Sequence, residues 1–555
     1  MLSIFISFIF ISFIFIILGK SFSIKFDSNN EYGLIESYFI GLCLGGGFLN
    51  AWSIFFPTNI FSFFFLLVIS IILIWYFKKH ILNLFQKTFN SVLENKLLYL
   101  TILLALIFFA IKVLDYPRLY DSLLYHIGAI QWNEKYSVVP GLANLHDRFG
   151  FNSSMFVISS SFQFTEIFGQ QIFAISALSF FFLIIWVLKI GYKNWLINLF
   201  LLVYIYFFTA QYSIDISSPG TDLLPNILYS FLIIYLIVDG ESIKKKKILF
   251  ILIPIYIFTL KVSFLSVLII PFYTCFINYK IRSFVLSLSI YFGIMLLPWI
   301  IRNIYISGYL IYPSTFIDIF NFDWKVPAEM VNETKGWVHS FAKIPYESYE
   351  VVNKMSFVEW LVIWWSKINL INTTIFILTT VSLVYLSIKL TLNFKKLKTE
   401  LLVLIVLFSG FIFWLFNAPD FRFCFSILIL SIFFALREIT KKINTLQVIN
   451  DLTKYFQFVF MLFLIFAFSF SNEFRFSELK QHFFLGKDIA KLKHERRVYF
   501  DEYYIKNQEN ENILFYIPKN KDLQQCYDVF PCSHSLNDKV IMRGKSIQDG
   551  FKKMN

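Results

Sequence analysis

A chain of 555 residues that is 57% hydrophobic, with a mean hydropathy of +0.66, is too apolar for a soluble globular protein and reads as a polytopic membrane protein. Its net charge of +13 would suggest nucleic acid in a soluble chain. Here the basic residues sit in short connections between apolar runs, the pattern of cytoplasmic loops, so nucleic acid is excluded as the expected partner and a lipid bilayer takes its place.

In chain order, 1–20 lacks a basic start and a small-residue cleavage site, so it is expected to remain as a span. With about 17–20 apolar residues needed per crossing, candidate spans fall at 3–19, 37–56, 59–77, 97–114, 171–188, 195–212, 223–239, 248–262, 264–278, 283–300, 368–389, 401–417, 421–436 and 455–471. The fold class expected is therefore an all-α polytopic protein with about 12–14 transmembrane helices and a small mixed α/β tail. Residues 1–96 form N-terminal hairpins, 97–471 the core with external loops 115–170 and 302–367, and 472–555 the tail.

Orientation follows from Lys78, Lys79, Lys87, Lys189, Lys193, the run 244–247, Lys280, Arg282, Lys389, Lys395, Lys396, Lys398, Arg437, Lys441 and Lys442. Placing all of these in the cytoplasm gives one consistent alternation, provided that the Ser-rich segment 153–166 is interfacial or re-entrant. The opposite face then receives 115–169, 213–222, 302–367, 417–423, the tail and the N-terminus.

Most of the unusual chemistry is expected on that opposite face. Between two spans, the loop 115–156 holds Asp115, Asp121, Glu134, Asp147, Arg118, Arg148 and two of the seven His. Asp121 precedes the apolar-periodic helix SLLYHIGAIQW, where it can cap the helix or act as a general base; the two roles are compatible. On that helix Asp121, Tyr125, Gly128 and Trp132 share one face, and Ser122, His126 and Asn133 another. His126 is the second catalytic candidate, against the ordinary reading of a hydrogen-bonded core His. In HDRFGFNSS, Gly150 is expected to supply a turn, Asn152 to cap the next helix, and Asp147 and Arg148 to be polar neighbours, with the Arg148 fork suited to a phosphate.

Asp222 opens a span after SSPGT, with capping the favoured reading for it alone. Lys261 interrupts about thirty apolar residues, which would cost about 2.5–3.5 kcal/mol at a helix centre unless two short helices meet there at water or at an anion. Arg302 ends a span in PWIIRN, and Asp420 and Arg422 stand in NAPDFRF at the start of another. Together with Arg148, these three cations suit a lipid phosphate or diphosphate. Cys43, Cys275 and Cys424 lie in apolar runs, whereas Cys526 and Cys532 can close a disulfide in an oxidising compartment. In the tail, 491–507 reads as solvated helix and 513–518 as a strand.

YDSLLYHIGAIQW, VPGLANLHDRFGFNSSMF, SPGTDLLP, PWIIRNIYISGYLIYP, DWKVP, NAPDFRF and the tail from Cys526 to RGKSIQDGF resemble, in that order, a family of bacterial multi-spanning membrane proteins. That family looks like a branch of the GT-C glycosyltransferase superfamily. The resemblance implies a GT-C-like helical core, a polyprenyl-phosphate-linked sugar as donor and a glycan or lipid acceptor. It also implies a possible divalent cation, and an essential acid in the first external loop that Asp121 matches, with Asp115 as fallback. No DD or DE pair follows the span, which leaves metal dependence open. The expected activity is sugar transfer on the outer face of a bacterial inner membrane, in cell-envelope glycan assembly. The alternatives are a surface-polysaccharide polymerase or ligase, and a transporter or flippase of lipid-linked precursors. A transporter should show paired broken helices in related halves, and only one broken pair, around Lys261, is visible.

Overall fold

The computed structural model describes residues 1–27, 32–115, 117–191, 195–392, 398–441, 447–469, 500–506, 512–519, 526, 529–537 and 539–554. Lys193, Lys395, Lys396, Lys442 and the stretch 491–499 lie outside the described residues. The protein is mostly helical, with a small C-terminal sheet region, and the apolar runs become helices because a backbone surrounded by apolar groups must bond internally. Among the described residues six helices are long and apolar enough to cross a membrane: Leu2–Phe26, Leu34–Phe55, Ile60–Ser91, Lys96–Val113, Leu370–Thr391 and Lys398–Asn417. The pair Arg282–Met295 and Leu297–Ser307 makes a seventh, bent by 42°. The sequence suggests one straight span at 283–300; Pro298, in the first turn of the second piece, has no N–H to continue the helix. Among the described residues there are six shorter apolar helices, of which Leu223–Val238 and Lys247–Leu260 are almost wholly buried. The segment 153–166 contains a nine-residue helix, Ser154–Phe162, too short to cross.

The bundle has two chemically distinct ends. At one, Lys246 pairs with Glu36 and Lys247 with Asp27, while Glu438 receives Lys389, Arg437 and Lys441. At the other, Thr58 and Val138 donate backbone bonds to Asn133 and Ser53, tying the connection after the second helix to the loop 115–170. Asp27 and Glu36 therefore mark the lysine end of the first two helices, and Met1 starts at the loop end.

The loop and the tail share a second hydrophobic core, separate from that of the bundle. Leu123, Ile130, Trp132, Leu145 and Phe149 pack there with Ile505, Phe515, Met542 and Phe551. Phe500–Lys506 is a strand, antiparallel to Asn512–Pro518, where solvated helix is expected from the sequence. Tyr503, Tyr504 and Ile505 favour a pleated surface, and the apolar partner NILFYIP supplies one.

Candidate functional site

Four segments deliver charged side chains to the loop end of the bundle. Asp121 stands before a widened turn, Ser122–His126, in which the amide of Ile127 reaches back five residues to the Ser122 carbonyl; such π turns recur at functional positions. Its carboxylate makes no capping bond, and Arg422 Nη1 lies 3.5 Å from Asp121 Oδ2. Asp222 likewise precedes Leu223–Val238 without capping it, which corrects the capping expectation. Its carboxylate is ion-paired instead, to Lys261 through Oδ1 and to Arg422 Nε at 3.9 Å through Oδ2. Capping lost because two cations offer more than one amide in a buried position.

Lys261 sits where the sequence breaks the apolar run. Lys247–Leu260 ends, Lys261 is extended, and a tight turn Val262–Leu268 leads into Ile269–Asn278. The Ser153 hydroxyl donates to the buried Leu260 carbonyl at 2.8 Å, one of the groups a helix end leaves unpaired. Lys261 Nζ lies 3.8 Å from the centre of the Phe423 ring, which also faces the Arg422 guanidinium at 5.1 Å.

The fourth segment is the turn Asn417 to Phe423. Asp420 accepts from the Arg422 backbone amide (3.0 Å) and from Arg422 Nε (3.1 Å). Around it, Trp364 donates to Pro419 O, Trp414 to Asp420 O and Tyr212 to Arg422 O. Asn226 accepts from the Ser426 amide and hydroxyl while donating to Asp222 O, so the Asp222 and Arg422 segments are stapled together. The cations therefore sit on a rigid frame.

Burial works against each charge here and is outweighed unequally. Lys261 and Arg422 hold the Asp222 carboxyl below its ordinary range despite burial. Arg422 is desolvated, yet Asp222, Asp420 and Asp121 keep its guanidinium firmly protonated. Burial pushes Asp420 up, against Arg422. Asp215, which nothing in the sequence singles out, is buried beside these groups and has no ion pair within 4.0 Å among the described residues. Burial, and then the Asp222 charge, push its carboxyl well above its ordinary value, which favours the protonated form. His126 is lowered to about 4 by burial; its Nδ1 meets the Ser122 hydroxyl at 3.1 Å, and its buried Nε2 has no hydrogen-bond partner among the described residues. Tyr125, buried beside it, packs on Phe151 and Phe156.

The other candidates lie apart. Arg302 is 2% exposed and spends its guanidinium on neutral acceptors: Asn152 Oδ1 (3.1 Å), Ser53 Oγ (2.6 Å) and Asn133 Oδ1 (2.8 Å). Asn152 is that partner and not the helix cap; Ser153 caps the next helix. Gly150 ends the tight turn Asp147–Gly150, and a Cβ there would strike the Tyr312 ring. Arg148 leans over Phe151 near Asp147, which accepts from Thr334, and Asp115 pairs with Arg118. Among the described residues no three Asp, Glu, His or Cys side chains form a metal site, because the clustered acids face cations and not one another.

Residues 1–429 match the family model described as a domain of unknown function, DUF8201. The chain belongs to that family. The DUF8201 region contains Asp121, Asp215, Asp222, Lys261, Asp420 and Arg422 and stops before the tail. No curated protein and no solved structure is detectably similar to the chain.

Proposed function

We propose that this DUF8201 protein is a membrane glycosyltransferase that moves a sugar from a polyprenyl-phosphate-linked donor to an acceptor hydroxyl on the extracytoplasmic face. One observation carries the reading: a single guanidinium, Arg422, faces Asp121, Asp222 and Asp420 from three segments, with Lys261 beside it, at the ends of apolar helices. The contacts of Arg422 to Asp121 and Asp222, at 3.5 and 3.9 Å, are longer than hydrogen bonds, so part of the guanidinium is open to an incoming anion. Partly buried ion pairs are poor sources of stability, which favours a binding role for this arrangement. The Cys526–Cys532 disulfide and the lysines at the opposite end support an outward placement of this face.

The donor phosphate docks on Arg422 and Lys261. The acceptor oxygen bonds to the anomeric carbon as the bond from that carbon to the phosphate oxygen breaks, and the electron pair leaves with the phosphate. The hydroxyl proton passes to Asp121. The leaving group is already an anion, so position and positive charge supply much of the catalysis. His126 Nε2, neutral and buried beside Asp121, is available as a hydrogen-bond partner to the substrate.

The test is sugar transfer by the purified protein in lipid nanodiscs from polyprenyl-phosphate donors. Asp121→Asn is expected to lower transfer by roughly 10²–10⁴-fold while leaving donor binding in place. Wild-type transfer by that variant would remove the base assignment. No transfer by the native protein from any such donor, with lipid-linked sugar moving across the bilayer instead, would favour a flippase.

A further inference from the structure

The conspicuous motifs of the tail, PCS and RGKSIQDGF, have no place in the chemistry above, nor does VPGLANLHD in the first loop. They are one another's partners. Gly141 (φ +65°) and Gly550 (φ +92°) lie where the two segments cross, and a Cβ on either would strike the other segment's backbone: Phe551 O for Gly141, Pro140 O for Gly550. That reciprocal approach lets the Phe551 amide donate to Pro140 O at 2.9 Å and Asn144 Nδ2 to Phe551 O at 3.4 Å. Asn537 adds two bonds, from its amide to Leu145 O and from its side chain to Asn144 O, and Gln548 reaches the Ser137 hydroxyl.

The other end of the tail reaches the site itself. The amide of Cys526 donates to Leu123 O at 3.2 Å, in the π turn two residues after Asp121. Cys526 is bonded to Cys532, six positions on, and Cys532 is held against Tyr516 by the bonds from the Tyr516 amide to Pro531 O and from the Ser533 amide to Tyr516 O. Phe530, between the two cysteines, packs on Trp132 at 4.9 Å and beneath Lys135 at 4.5 Å. A covalent ring thus links the hairpin Phe500–Lys506/Asn512–Pro518 to the turn that directly follows Asp121 and to the helix behind it.

We infer that the tail is a clamp that positions Asp121, with the Cys526–Cys532 ring as its pin. An external thiol reductant, itself oxidised to its disulfide, converts Cys526–Cys532 to two thiols; this frees Cys526 from Cys532, and so from the hairpin that holds Cys532 at Tyr516, and lets the π turn relax. Asp121 remains the group that meets substrate; Cys526 and Cys532 act through it. The clamp rests on these contacts alone, and only its effect on sugar transfer rests on the function proposed above.

The experiment is amide hydrogen–deuterium exchange on the full-length protein in nanodiscs, for the native chain, for C526S/C532S, and for native protein treated with a membrane-impermeant thiol reductant and then alkylated. Exchange across 119–135 is expected to quicken in the last two samples, with 97–113 unchanged, and transfer to fall by roughly ten- to a hundredfold. The Asp121→Asn chain is expected to exchange like the native one while losing transfer. The reductant arm covers the case in which the double variant fails to fold. Unchanged exchange across 119–135 after verified reduction overturns the clamp. Quickened exchange in a protein that transfers no sugar under any condition keeps the clamp and rejects the transferase.

Discussion

Arg302 and Arg422 both stand on the loop end of the bundle, Arg302 within Leu297–Ser307 and Arg422 just before Phe425–Thr440, and in the sequence nothing separates them as anion-binding candidates. Their surroundings are opposite. Arg302 is closed in by two amides and a hydroxyl, each at ordinary hydrogen-bond distance, and has no acid beside it. Burial therefore works against its charge, and among the described residues no carboxylate pairs with it. Arg422 is a third exposed, faces three carboxylates, and meets two of them at long range. A guanidinium with all its donors spent joins helices. One that meets two of its partners at 3.5 and 3.9 Å keeps donor capacity for a further acceptor.

That contrast breaks most sharply at Arg422. Arg422→Ala is expected to lower transfer by roughly 10²–10³-fold, the range for removing one charge-stabilising donor. Folding should suffer less than activity, because the turn keeps its bonds from Trp364, Trp414 and Tyr212. Arg302→Met should do the reverse. It strands acceptors on Ser53, Asn133 and Asn152, which costs about 2–4 kcal/mol as a lower unfolding midpoint, with activity per folded molecule retained. If Arg302→Met abolishes transfer in folded protein, the two arginines are not of different kinds.

Much of this architecture is legible in the sequence, for physical reasons that also explain the gaps. A bilayer demands long apolar runs, so the spans near 3–19, 97–114 and 401–417 stand out, and a lysine at the middle of about thirty apolar residues marks a break, as Lys261 does. Cys526 and Cys532, paired in the structure, were readable because a polar tail offers few other uses for two close cysteines. The destination of a side chain is another matter. Asp222 precedes a helix, and only the arrival of Lys261 and Arg422 from other segments decides against capping. Asp215 lies in YSIDISS with no anomaly of hydropathy or spacing, and its importance comes entirely from being buried next to Asp222. Gly141 and Gly550, some four hundred positions apart, gain their meaning only where the segments cross.

Lys261 and Asp222 permit a finer cut between pairing and binding. In a double-mutant cycle on stability, Lys261→Met and Asp222→Asn are each expected to destabilise, with a coupling of about 1–3 kcal/mol. The double variant should recover most of the folding loss, since an apolar and an amide group replace two buried charges. Transfer should not recover with it, because the lysine is needed by the phosphate. Recovery of both would make the pair a structural staple like Lys246 and Glu36 at the opposite end.

The smallest expected effect is the most specific. Among the described residues Asp215 has no ion pair within 4.0 Å, and burial favours its neutral form, so Asp215→Asn, of the same shape, is expected to leave transfer within about threefold, a change under about 1 kcal/mol. Its mark appears in pH dependence. The folded carboxyl binds its proton more tightly than the unfolded one, so between the ordinary value of 3.8 and the raised native value the native state holds more protons. Stability therefore falls as pH rises through that window. Removing the titrating group removes the fall: relative to the native chain, Asp215→Asn should gain stability as pH climbs from 4 and lose that gain below it. Infrared spectra should show the protonated-carboxyl C=O stretch of the native protein at neutral pH missing from the variant. A variant that is inactive, with the stretch unchanged, would mean that Asp215 is ionised and that the acids around Arg422 are not divided into charged and neutral members.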